Sequence, residues 1–101
     1  MARKDRPHTR DGRYLVSRGV LKRCTNPDID DAVRRKSIKK LMQARMAKDR
    51  PSVIEAKTEL GEMGPVWWQD GAPDYSGQSP VNTPYSEWWN SLSDEERNFG
   101  A

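Results

Sequence analysis

Four tryptophans in two adjacent pairs, Trp67-Trp68 and Trp88-Trp89, constrain what this chain can fold into more than any other feature. Of its 101 residues 34% are hydrophobic and 33% charged, so one small core must carry the fold. Each indole can bury about 200 Å², and the tryptophans are expected to supply much of that core. Two successive rings on a helix fit one broad face. In a turn they do not, so one of Trp67 and Trp68 is expected to stay partly exposed and open to contact.

The rest of the chain reads in short pieces. Residues 1–12 show no hydrophobic period, contain Pro7 and Gly12, and are expected to form a mobile basic arm. Tyr14 to Ser17 and Val20 to Cys24 are strand-like runs around Arg18-Gly19, which predicts a β-hairpin, marginal by itself. A helix then starts at Asn26-Pro27 or near Asp30 and runs to about Lys48. Ile38, Leu41, Met42 and Met46 form its apolar stripe, Lys36, Lys39, Lys40 and Gln43 its outer side. Val33 is expected to pack under the hairpin. Asp49-Arg50-Pro51 breaks this helix, and a Ser52/Glu55 capping box starts a second, with Val53, Ala56, Leu60 and Met63 on one face. The short connection predicts an antiparallel helix pair.

From Gly64 to Pro84 turn residues alternate with aromatics, a connection long enough to need packing or a function of its own. Asn82-Thr83-Pro84 caps a short helix whose Tyr85, Trp88, Trp89 and Leu92 share a face. That face is expected to dock on the helix pair. Ser93 to Glu96 resembles a last capping box, and the end of the chain is expected to fray. The fold class is therefore mostly α with a small N-terminal β-hairpin, an antiparallel helix pair, an aromatic C-terminal loop and a short helix. The predicted boundaries are an arm at 1–12, one small domain at 13–92 and a tail at 93–101.

Charge is unevenly placed along the chain. Residues 1–50 hold 16 Lys and Arg against 6 Asp and Glu, whereas residues 51–101 hold 2 against 9. Such asymmetry points to nucleic acid or another acidic partner for the first half. The alternative is that the halves fold together and neutralise each other. No apolar run approaches a membrane span, and no signal-peptide stretch opens the sequence. With Cys24 the single cysteine, a disulfide within the chain is excluded and a cytoplasmic location is expected.

Chemistry is sparse. His8 is the one histidine and lies in the arm, which gives a nucleophilic site no well-placed base. Asp70 and Asp74 flank Gly71 and Pro73, and that is turn chemistry before it is a metal site, since calcium takes six or more oxygens. No cofactor, metal or catalytic residue is expected.

The strings Gly64-Pro65-Val66-Trp67-Trp68, Asp70-Gly71-Ala72-Pro73-Asp74 and Asn82-Thr83-Pro84-Tyr85, after a Gly12-Arg13-Tyr14 hairpin start and Asn26-Pro27, resemble a family of small uncharacterised bacterial proteins. The resemblance spans Gly12 to Leu92 and implies no activity.

The expected function is a non-catalytic binding protein. Arg3, Lys4, Arg6, Arg10, Arg13, Arg18, Lys22, Arg23, Lys36, Lys39 and Lys40 are the candidates for contact with nucleic acid or a ribonucleoprotein, largely independent of base sequence. The alternative is a protein–protein adaptor using the loop of Trp67, Trp68, Asp70 and Asp74. No membrane partner is expected.

Overall fold

The computed structural model of the chain describes residues 6–100. It contains two strands, β1 (Tyr14–Ser17) and β2 (Val20–Arg23), and four helices, α1 (Asp31–Met46), α2 (Arg50–Glu59), α3 (Ser86–Ser91) and α4 (Asp94–Gly100). The chain divides into two compact units, one combining the segments up to Cys24 and from Pro73 onward, the other Thr25–Ala72. Where the sequence reads as one domain at 13–92, the hairpin is thus enclosed by both ends of the chain.

In the hairpin unit β1 and β2 pair antiparallel, Tyr14 opposite Arg23 and Val16 opposite Leu21. All four of these residues are buried, while Lys22 on the other face is exposed, the alternation a one-sided sheet requires. Arg18 (φ 55°) and Gly19 (φ 79°) make the two-residue turn, a conformation that follows the twist of the strands. Two strands alone would be marginal, and each outer edge is covered. The Val16 amide donates to Pro7 O at 2.9 Å, and the Thr9 amide to Tyr14 O at 2.9 Å. On the other edge the Leu21 amide donates to Gln78 O, and the Gly77 amide to Leu21 O. Residues 7–12, read from sequence as a mobile arm, are therefore bound to β1, with Thr9 buried. Polarity marked them as loose; backbone hydrogen bonding, which polarity does not report, holds them.

The far end of the chain also differs from its expectation. The capping box is present, Ser93 Oγ accepting from the Glu96 amide at 3.1 Å and Glu96 Oε1 from the Ser93 amide at 2.9 Å. It opens α4 rather than a frayed tail. Gly100 closes that helix against Val16, where a Cβ would come within about 3 Å of the valine side chain, and the Gly19 amide donates to Gly100 O. Helix α3 belongs to this unit, packing with the short 3₁₀ turn Pro80–Asn82, and the Trp89 ring lies against Gly100 at the end of α4. Trp88 and Trp89 are both half-buried.

The second unit is the helix pair. Of the two possible starts, α1 takes Asp30, whose carboxylate accepts from the Ala32 amide; Asn26 instead forms a local turn to the Asp28 amide. Asp49, expected with Arg50-Pro51 to break the first helix, also caps α2, accepting from both the amide and the hydroxyl of Ser52 in place of the Ser52/Glu55 box read from the sequence. Proline fits the first turn of that helix because no partner for its N–H is needed there. The pair buries Leu41, Ala56 and Leu60, with Ile29 and Val53 packed against them. On α1 the buried stripe is Ser37, Leu41 and Ala44, rotated from the predicted one. Val33, Ile38, Met42 and Met46 are exposed, Met46 at 85%. The buried face of α1 thus includes the small Ser37 and Ala44, and these four apolar side chains lie outside it. Gly61, at φ 82°, ends α2 with the Trp67 ring against it.

Candidate functional site

The predicted phosphate contacts divide by what the fold does with each. Arg3 and Lys4 lie outside the described residues. Arg6, Arg10, Arg18 and Lys22 are exposed in the hairpin unit, and Arg13 is half-buried. Arg23 is 5% exposed, because the pleat that buries Tyr14 buries its cross-strand neighbour too. Its positive charge faces inward, toward Asp74 and Tyr14. Lys36 and Lys39 are exposed on α1. Lys40 turns toward α2, its Nζ 2.5 Å from Glu55 Oε1 and 3.3 Å from Glu59 Oε1, and Ser37 donates to Glu59 Oε2. These bonds hold the Glu59 carboxyl below its ordinary value.

Charge that looks polarised along the sequence is nearly balanced within each unit. Residues 1–24 and 73–101 carry 9 Lys and Arg against 7 Asp and Glu, and residues 25–72 carry 9 against 8. What remains is local.

The loop proposed as an adaptor surface is built as a clasp. Trp68 is 7% exposed, and its indole N–H donates to Ala72 O at 2.8 Å. Asp70 accepts from the Ala72 amide at 3.0 Å, so both the amide and the carbonyl of Ala72 are held within the loop. Trp67 stands edge-on to Trp68, ring centroids 5.2 Å apart, and is the half-buried member of the pair. Asp74 accepts from the amide and hydroxyl of Ser76 and from the Tyr14 hydroxyl.

Tyr14, Tyr75 and Tyr85 form a ring cluster with centroids 5.4–6.5 Å apart, a group that its wide sequence spacing conceals. The Tyr14 hydroxyl also accepts from the Tyr75 amide at 2.9 Å, and Tyr85 donates to Asp11 Oδ2 at 2.7 Å. Burial raises the pKa of both phenols, with Asp74 and Asp11 adding to it. Burial opposes ionisation of the two carboxylates as well. Hydrogen bonds outweigh it, from Thr9, Tyr85 and the Arg13 amide for Asp11 and chiefly from Ser76 for Asp74, so both lie below the usual value.

Groups depressed in the folded state contribute stability that is complete above their unfolded pKa, about 3.9, and is lost as pH falls through the folded values. The hairpin unit is therefore expected to lose stability on acidification below about pH 4. Asp11→Asn/Asp74→Asn should be less stable at pH 7 and lose less on acidification, measured by thermal unfolding at pH 7 and pH 3. An unchanged acid response would remove the two carboxylates as its cause.

Among the described residues no group of three His, Cys, Asp or Glu comes together in a way that could hold a metal ion, and no helix is long and apolar enough to cross a membrane. His8 is exposed, Nδ1 bonded to Arg6 O at 2.8 Å. Comparison of the chain with models of protein families, with curated proteins and with solved structures finds no match.

Proposed function

We propose that the protein is a non-catalytic binder of nucleic acid or a ribonucleoprotein, engaged through phosphate contacts that do not read base sequence. The observation that carries this is the division among the cations of α1. Lys40 is neutralised by Glu55 and Glu59, whereas Lys36 and Lys39 stand exposed, Lys36 acting on Glu59 only through its charge. Exposed cations are what phosphates recruit. Arg6, Arg10, Arg18 and Lys22 offer the same chemistry in the hairpin unit. Arg23 and Lys40 serve the fold instead. The alternative, an adaptor working through the aromatic loop, retains half-buried Trp67 as its one anchor and ranks second. A cytoplasmic setting accompanies this reading, in keeping with a sequence whose single cysteine is Cys24.

Fluorescence anisotropy with a single-stranded RNA and a duplex DNA, over a range of salt, tests it. Affinity should fall linearly with log salt, and Lys36→Glu/Lys39→Glu should lower the slope by about two and weaken all sequences alike. Absent or salt-insensitive binding would sink the reading.

A further inference from the structure

The two sides of the α1–α2 pair differ in kind. One is bridged by Lys40, Glu55 and Glu59, with a smaller cavity of about 240 Å³ beside Lys40 that Asp49 also lines. The other opens at the interhelix turn into a groove of about 510 Å³, with Val53, Ile54 and Met63 supplying its apolar surface. Arg45, Lys48, Arg50 and Lys57 surround it, and no carboxylate lines it. We propose that this groove docks an acidic amphipathic helix of a protein partner, in addition to any nucleic-acid contact made through Lys36 and Lys39.

Three observations favour that occupant. The first is charge complementarity: four cations converge on one site whose own unit is close to neutral, and none of the four makes a salt bridge to a described residue. A partner bringing carboxylates would pair with a ring the fold leaves unpaired. The second is the surface they enclose. Ile54 and Met63 are each about two-fifths exposed. Contiguous apolar surface rimmed by charge marks a docking site, and methionine adapts its shape to an incoming side chain. The third is geometry. A groove between two helices receives a third helix through anchors spaced i, i+3 or i+4 and i+7, with the carboxylates of its flanks reaching the rim. Nucleic acid would satisfy the cations alone, because no aromatic ring lies in the groove for a base to stack on.

The test is anisotropy of a fluorescein-labelled 18-residue helical peptide, Leu at i, i+4, i+7 and i+11 and Glu at the flanking positions, added to the full chain. It should bind at least about tenfold more tightly than the same peptide with Lys for Glu, and than one with its leucines scrambled. Arg45→Glu/Lys57→Glu should reduce the affinity about tenfold or more, and the Lys-bearing peptide should recover binding to that variant. Ile54→Ser, at an exposed position, should weaken binding without altering the circular dichroism, which keeps the test valid if the charge reversal disturbs folding. Lys36→Glu/Lys39→Glu should leave peptide binding unchanged, separating this site from the nucleic-acid reading. Equal binding of the scrambled peptide, or failure of the acidic peptide to bind, would overturn the proposal. So would an oligonucleotide or phosphatidylglycerol vesicles binding at Arg45 and Lys57 in its place.

Discussion

Tyr14→Ala is expected to cost about 3–5 kcal/mol, enough to unfold the hairpin unit of a domain whose whole stability is on the order of 5–15 kcal/mol. The side chain is completely buried, between Tyr75 and Tyr85. It does two things that alanine cannot. Its ring fills the space inside the β1–β2 face, so truncation leaves a cavity as well as lost apolar contact. Its hydroxyl holds the 73–75 segment, accepting from the Tyr75 amide and donating to Asp74. Tyr14→Phe should keep the packing and lose the bonds, a smaller cost of about 1–3 kcal/mol for the donors and acceptors left unpaired. Chemical denaturation followed by near-ultraviolet circular dichroism gives both values, and amide exchange in β1 and β2 shows whether this unit is the one that opens. A Tyr14→Ala protein as stable as the parent would mean that the tyrosine cluster is not the centre of the unit.

Trp68→Ala is expected to cost a similar amount, about 3–5 kcal/mol, and Trp67→Ala roughly half as much, since a half-exposed ring has less contact to lose. Trp68 is the ring the loop closes over. Removing it also leaves Ala72 O without its indole donor, so Asp70 to Ala72 should loosen with it. The neighbouring ring lies on Gly61, and its loss should disturb mainly the end of α2. Thermal unfolding of the two variants decides the order; a Trp67→Ala protein less stable than Trp68→Ala would reverse the assignment of core and surface. Trp88, half-buried on a helix with no fully buried residue, is expected to matter less than Trp68.

Several elements were legible because their cause is local. The hairpin around Arg18-Gly19, the pair of helices with a tight connection and the Ser93/Glu96 box depend on neighbours within a few positions, and so does the rule that a turn cannot bury both Trp67 and Trp68. The candidate site was legible only as a list of cations. Lys36, Lys39, Lys40 and Arg23 are alike as residue types, yet two are exposed, one is bound to Glu55 and Glu59, and one is buried opposite Tyr14.

By itself the sequence determined the hairpin with its turn, the two long helices, and the presence of one buried and one partly open tryptophan in the loop; the cap of α2 at Asp49 and the start of α3 after Tyr85 differ from the Ser52/Glu55 and Asn82-Thr83-Pro84 caps it suggested. Tertiary structure alone decided which stripe of α1 faces α2, and thereby left Ile38, Met42 and Met46 outside. It also decided that Pro7 to Gly12 and Gly100 flank the hairpin, that three tyrosines far apart in sequence meet, and that Arg45, Lys48, Arg50 and Lys57 converge on one groove. Helical periodicity reports that apolar residues recur on a face, but the face buried between the helices includes the small residues Ser37, Ala44 and Ala56. Contacts between segments sixty or more residues apart depend on how the chain folds back, and no spacing within a single segment encodes that.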